Sequence, residues 1–335
     1  MDKVALASDV ERKSLFIDVA DKIELSTFIV EKDFWVSWVL CKIFEDKELS
    51  QILCFKGGTS LSKAFGLIDR FSEDIDIILS QAVVLREGET WVQSSNTKQA
   101  EFNKIIEKRA GEYIKTKLKD KISKILGKIC SINLPDNDEN VLYVQFPRVF
   151  DYSYIQPDIK LEIGPLALWN PNERYTITSF IAKGLPELEL KNPIVPTIKP
   201  ERTFWEKITI LHHDHYRPES SLLQPRYSRH YYDVFKIGQT DVKNRALADM
   251  KLLQEVIDFK KRFYPRGWAR YDEATRGAVR LFPAKHNLAL LAEDYTRMQK
   301  MIFGVAPEWN VILSYLEMLE QEINNSKGTQ DTIWI

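Results

Sequence analysis

The sequence predicts an α/β protein, a small mixed sheet flanked by helices and followed by a helical C-terminal half. Three observations carry this. Residues 52–79, ILCFKGGTSLSKAFGLIDRFSEDIDIIL, read as strand, glycine turn, short helix and second strand. VLYVQFP (141–147) and DIKLEIG (158–164) read as further strands, the latter alternating Ile159, Leu161 and Ile163 against Asp158, Lys160 and Glu162. From Pro200 to about residue 323 the chain reads as helical. A length of 335 residues is long for one domain, and two are expected, 1–200 holding the sheet and 201–335 helical.

In chain order, 8–24 and 26–45 read as helices, with Ser26 as an N-cap before Phe34, Trp35, Trp38, Val39 and Phe44. Glu31, Lys32 and Asp33 read as first-turn charges with no assigned role. Residues 81–97 are irregular, 98–128 read as one long basic helix, and PDNDEN (135–140) is a turn. Six prolines between 165 and 200 predict a connecting region that ends the sheet domain. Pro200 then opens a helix whose core face is Phe204, Ile208 and Leu211. Lys207 lies off that stripe, where periodicity alone makes it a surface lysine. In RYSRHYYDVFKIG (226–238), Arg229 and Asp233 are i, i+4 neighbours that spacing alone makes an exposed ion pair, and Gly238 ends the helix. Breaks follow near Pro265, Pro283 and Pro307, and the tail after Lys327 is expected to fray.

The chemistry concentrates in the first of these stretches. On a strand, Asp74 and Asp76 point the same way while Ile75 and Ile77 point into the core. Two like charges ~4 Å apart repel by about 4 kcal/mol at an effective dielectric of 20, so the pair is costly without a cation and suited to a metal. Gly57-Gly58 lets backbone N–H groups approach an anion, with the following helix pointing its positive end at it. Together these make a site for a metal–nucleotide complex. GGTSLSK lacks the glycine before Lys63 that a P-loop requires.

Composition is that of an ordinary soluble protein, 44% hydrophobic and 28% charged, with a net charge of −1. No global field draws it to nucleic acid, although lysine and arginine outnumber acids in 101–128 and 243–300. FKKRFYPRGWARY interleaves Lys260, Lys261, Arg262, Arg266 and Arg270 with Phe263, Tyr264, Trp268 and Tyr271, a pattern suited to looped or single-stranded RNA. Cys41, Cys54 and Cys130 lack metal-ligand spacing and read as reduced, buried thiols. No signal-peptide pattern opens the sequence and no stretch approaches the ~20 apolar residues of a membrane span. A cytoplasmic protein without membrane partners is expected. His212, His213, Asp214 and His215 fan around a helix end rather than converging as zinc ligands would.

The pattern of Gly-Gly, Ser60, short helix and Asp-x-Asp resembles the DNA polymerase β-like nucleotidyltransferase superfamily. KGGTSLSKAF, RFSEDIDI, ERTFWEKITILH and RHYYDVFKI, with FIVEKDFWVSWVL near the start, resemble the AbiEii/AbiGii toxin family, whose relatives include the MenT toxins. The resemblance implies a nucleotidyltransferase fold and an active cleft completed by the helical domain. It implies transfer of NMP from an NTP, with Mg²⁺ (or Mn²⁺) held by Asp74, Asp76 and a third carboxylate, Glu162 or else Asp158. It makes Gly57, Gly58, Thr59 and Ser60 the triphosphate cradle, Lys207 a phosphate contact, and Asp233 a catalytic aid with Arg229 as its orienting partner. Partners implied are a cognate antitoxin and an acceptor, the 3′ end of tRNA, with phage defence or toxin–antitoxin function as the setting. His212 becomes a candidate contact to that RNA. Ser72, two residues before Asp74, matches a serine of some MenT toxins and is the candidate regulatory position.

Overall fold

The computed structural model describes residues 1–135, 137–151, 156–274 and 277–326; the tail after Lys327 lies outside them. Within these residues seven strands form one mixed sheet in the order β3-β4-β5-β2-β1-β7-β6. They are β1 (Leu53–Lys56), β2 (Ile75–Leu79), β3 (Ser131–Asn133), β4 (Val141–Gln145), β5 (Ile159–Gly164), β6 (Asn172–Thr176) and β7 (Ile194–Ile198). The α/β architecture expected from the sequence is the one observed. The chain divides into two compact units, the first Met1–Gly66 with Phe71–Ile198, the second Leu67–Arg70 with everything from Lys199 on.

The first unit is built on the helix Thr27–Glu45, which is buried on nearly every side. Such a helix belongs in a core rather than on a surface. Trp35 stacks on Phe146 at 5.6 Å between ring centroids and meets Trp38 edge-on. Ser26 occupies the N-cap position in extended conformation but makes no side-chain cap bond. One sheet face, carrying Phe55, Ile75, Ile77, Leu161 and Ile163, is fully buried. On the other face Cys54, Ile78 and Ile198 pack with Ala167 against Trp169, leaving the ends of β1, β2 and β5 for polar residues.

Two stretches depart from the sequence reading. The proline-rich span 165–200 is not merely connecting: it supplies β6 and β7, paired antiparallel, with β7 parallel to β1 at Phe55 opposite Thr197. Pro196 sits inside β7, a proline placement that argues against a central strand. The basic span 98–128 is the continuous helical run expected, but not a uniform α-helix: Asn96–Tyr113 and Lys119–Leu126 are linked by a wider helical turn at Ile114–Leu118.

In the second unit the helix Pro200–His215 buries Phe204, Ile208 and Leu211 fully, the face expected from its periodicity. The helix Arg229–Gly238 buries Tyr231, Tyr232 and Asp233. No helix among the described residues is long and apolar enough to cross a membrane.

Candidate active site

β1 and β2 run antiparallel, with Lys56 opposite Asp76 and Cys54 opposite Ile78. β2 and β5 run parallel, with Asp76 opposite Glu162. Residues opposite one another share a face, so Lys56, Asp76 and Glu162 form one row across the sheet. Asp74 lies one residue before β2 begins, half-buried like Asp76, while Ile75 and Ile77 are inaccessible. Asp158 lies one residue before β5, four residues ahead of Glu162 and so outside that row.

The turn out of β1 touches the aspartate strand directly. Gly57 has φ +81°, and a Cβ there would stand 1.9 Å from Oδ2 of Asp76. Only glycine supplies both the left-handed backbone and the missing atom. The sequence pairing of Gly-Gly with Asp-x-Asp is therefore a physical contact: the Asp76 carboxylate occupies the space of the absent side chain. Gly57→Ala is expected to cost about 1–3 kcal/mol from the backbone alone and to displace Asp76; urea unfolding and divalent-cation titration of the variant check both effects.

The helix Gly57–Lys63 turns its hydroxyls inward. Thr59 and Ser60 are fully buried. The Thr59 hydroxyl donates to the Asp74 carbonyl oxygen and lies 2.9 Å from Oγ of Ser72, and the Ser60 hydroxyl donates to the Gly57 carbonyl at 2.8 Å. These hydroxyls fix the loop, and the groups left for an anion at Gly57-Gly58 are backbone.

Glu162 is half-buried and its carboxylate takes a hydrogen bond from Lys160. Burial opposes the Lys160 charge, but that bond, the Glu162 charge and the Asp74 charge together raise its pKa. Among the described residues no three of histidine, cysteine, aspartate and glutamate stand as a preformed metal cluster. The donor set that is present, two hard carboxylates on one face with a glycine cradle beside them, fits Mg²⁺, which is commonly bound by one or two carboxylates plus substrate phosphates.

The second unit holds a buried charge cluster. Arg70 grips Asp233 with both ends of its guanidinium, Nε to Oδ1 at 2.7 Å and Nη2 to Oδ2 at 2.8 Å. Nζ of Lys207 stands 2.6 Å from the same Oδ2. All three residues are buried, so Lys207 is not the surface lysine its position off the apolar stripe suggests. Burial pushes the Lys207 pKa down, and Asp233 opposes that shift only in part. Arg229 is half-exposed; the guanidinium that holds Asp233 is that of Arg70, a partner the i, i+4 spacing did not indicate.

His212 is fully buried, its Nδ1 accepting the Arg280 N–H at 3.1 Å and its Nε2 lying 3.0 Å from the Arg270 carbonyl. Both nitrogens thus hold the fold, and burial lowers its pKa, which removes it as an RNA contact. The three cysteines are free and buried, and burial pushes the Cys54 and Cys130 thiols up to about 12. Missed at the sequence level were the charges of the helix Thr27–Glu45: Glu31, Lys32 and Asp33 are buried and engaged. Their partners lie tens of residues away, so no local spacing signals them.

A family model described as "Nucleotidyl transferase AbiEii toxin, Type IV TA system" matches residues 38–315. No curated protein matches the chain. A solved structure similar to it is MenT4, a nucleotidyltransferase toxin from Mycobacterium tuberculosis, at 16% identity over 92% of each chain with a TM-score of 0.43.

Proposed function

The chain belongs to the AbiEii nucleotidyltransferase toxin family of type IV toxin–antitoxin systems, and on that premise we propose that it transfers NMP from an NTP to the 3′ end of a tRNA. The observation that carries the reading is the contact between Gly57 and the Asp76 carboxylate, which sets an anion-accepting turn against a pair of metal-binding carboxylates. Asp74 and Asp76 would hold Mg²⁺ or Mn²⁺, with Glu162 available once released from Lys160. When bound, the cation neutralises phosphate charge and polarises the reacting oxygens. The acceptor hydroxyl gives up its proton to solvent as its oxygen bonds to the α-phosphorus, the bond from that phosphorus to the bridging oxygen breaks, and pyrophosphate leaves. Gly57, Gly58, Thr59 and Ser60 shape the triphosphate cradle. From the family resemblance, Lys207 takes the role of a phosphate contact and Asp233 that of a catalytic aid.

RNA as acceptor is supported by the surface of residues 260–271. Lys261, Arg262, Tyr264, Arg266 and Arg270 are exposed, whereas Phe263 and Tyr271 of the expected pattern are buried and offer no ring to a base; Arg266 lies over the half-buried Trp268 ring at 5.6 Å and Arg270 over Tyr216 at 4.5 Å. Cations seated on rings are the elements of a base-stacking platform. The cytoplasm is the compartment where NTP, tRNA and an antitoxin meet the protein, and restriction of phage growth is a natural outcome of blocking tRNA.

The test incubates the protein and Mg²⁺ with each α-³²P-labelled NTP, total bacterial RNA and a protein lysate. Label on tRNA, absent with Asp74→Asn, is the expected result. Label on protein instead would move the acceptor to another class. NTP binding with no label anywhere would reduce the chain to a binding module.

Ser72 is the proposed regulatory point. Its Oγ lies 2.9 Å from that of Thr59, beside the residues that set Asp74. A phosphate there would add nearly two negative charges where a nucleotide's own must enter. Ser72→Asp is expected to lower turnover by about tenfold or more, and Ser72→Ala to preserve it. Intact mass spectra of the toxin after incubation with its antitoxin should show the modification; an unmodified Ser72 would remove the idea.

A further inference from the structure

The twenty residues from Gly57 to Asp76 contain three charged side chains that are buried rather than presented. Lys63 is bonded to Asp33 at 2.5 Å, Glu73 to Lys32 at 2.9 Å, and Arg70 to Asp233 at 2.7 Å. Each partner is distant in sequence, by 30, 41 and 163 residues respectively. Buried ion pairs gain little stability over apolar replacements, because desolvation consumes the Coulombic attraction. A role in placing the segment explains three of them better than stability does.

We propose that Lys32 and Glu73 are a positioning pair for Asp74, a brace that sets the direction of its carboxylate for the metal; the inference rests on the reading of Asp74 as a metal ligand. Consecutive residues of an extended chain face opposite sides. Glu73 is drawn inward to Lys32, so Asp74 is turned outward to the side of Asp76. Lys32 is fully buried and is itself fixed by the Glu73 carboxylate and the Gln156 carbonyl. On the other side of the same peptide, the Thr59 hydroxyl holds the Asp74 carbonyl. Asp74 is thereby pinned through its neighbour's side chain and its own backbone, and the residue remains half-buried. The adjacent Asp33 extends the brace: one oxygen binds Lys63, the last residue of the glycine helix, and the other accepts the Phe180 N–H at 2.7 Å. One turn of the helix Thr27–Glu45 therefore anchors both flanks of the motif, the end of the glycine helix and the start of the aspartate strand.

Partners that orient metal ligands typically cost 10–100-fold in metal affinity or activity when removed. The test is the variant K32M/E73L, which replaces the pair by apolar side chains of similar size, alongside wild type and D74N. Mn²⁺ binding is read directly from loss of the free-ion electron paramagnetic resonance signal in the presence of NTP, with thermal unfolding and nucleotide transfer measured in parallel. The expected result is a folded K32M/E73L with its thermal midpoint kept, Mn²⁺ bound about tenfold more weakly, kcat reduced and KM for NTP at saturating metal unchanged. Wild-type Mn²⁺ affinity and wild-type kcat in the folded variant would overturn the proposal. If K32M/E73L does not fold, E73Q, which keeps Lys32 and the side-chain volume, decides by the same two readouts. D74N separates the premise from the inference. Mn²⁺ binding by D74N equal to wild type means Asp74 is no ligand, whereas weak binding by D74N with full binding by K32M/E73L sinks the brace alone.

Discussion

Asp74→Asn is expected to abolish nucleotide transfer while leaving the protein folded. Charge stabilisation by a bound metal is worth several kcal/mol in a transition state, roughly a thousandfold in rate, and the substitution removes half of the paired carboxylates that attract the ion. The fold should not suffer. Asp74 is half-buried, and its backbone carbonyl, which accepts from Thr59, survives the substitution. In metal-free buffer one fewer negative charge stands on that face of the sheet, so the thermal midpoint should stay level or rise. Adding Mg²⁺ with NTP should then raise the midpoint of wild type and leave that of the variant where it was. A variant that turns over as wild type does would end the metal-carboxylate reading.

Asp233→Asn should produce the opposite profile, a large loss of stability. The substitution takes from the buried Arg70 and Lys207 the carboxylate they share, and stripping one partner from a buried pair typically costs about 3–5 kcal/mol. Burial pushes the Asp233 carboxyl up, but Arg70 and Lys207 outweigh it and hold its pKa below the usual 3.8. A carboxyl depressed in the folded state lends stability that is complete above its unfolded pKa and fades as pH falls toward the folded one. Wild type should therefore lose stability below about pH 4, and Asp233→Asn should show a shallower acid limb from a lower plateau. Urea unfolding at several pH values measures both. Lys207→Met is the companion variant: it leaves Arg70 and Asp233 as a neutral pair, so stability should be nearly kept while transfer fails. Equal stability of Asp233→Asn and wild type would mean that the carboxylate is not what holds the two cations.

What could be read from the sequence was whatever local periodicity encodes. Strand alternation gave Asp74 and Asp76 a common direction and Ile75 and Ile77 the core. The helical stripe of Phe204, Ile208 and Leu211 is buried as its spacing requires. The strand holding Glu162 was recognisable from its own alternation, although its register opposite Asp76 was not. Pairing across long separations left no trace. Lys32, Asp33 and Lys207 look like solvated charges because their partners Glu73, Lys63 and Asp233 belong to other elements. β7 was hidden for a different reason: Pro196 lies inside it, and a short strand with a proline reads as linker.

The excursion of Leu67–Arg70 into the second unit bears on how the protein comes into being. Asp69 accepts the Phe303 N–H at 2.7 Å and Arg70 pairs with Ile302 as an isolated bridge, besides its grip on Asp233. During synthesis Arg70 precedes Asp233 by 163 residues, an interval of roughly 8–30 s at bacterial elongation rates of 5–20 residues per second. Until then Arg70 lacks the carboxylate it grips in the folded protein. The buried cluster of the second unit is thus completed only after Asp233 has been made, so the folded catalyst follows the glycine turn and the aspartate strand by that interval.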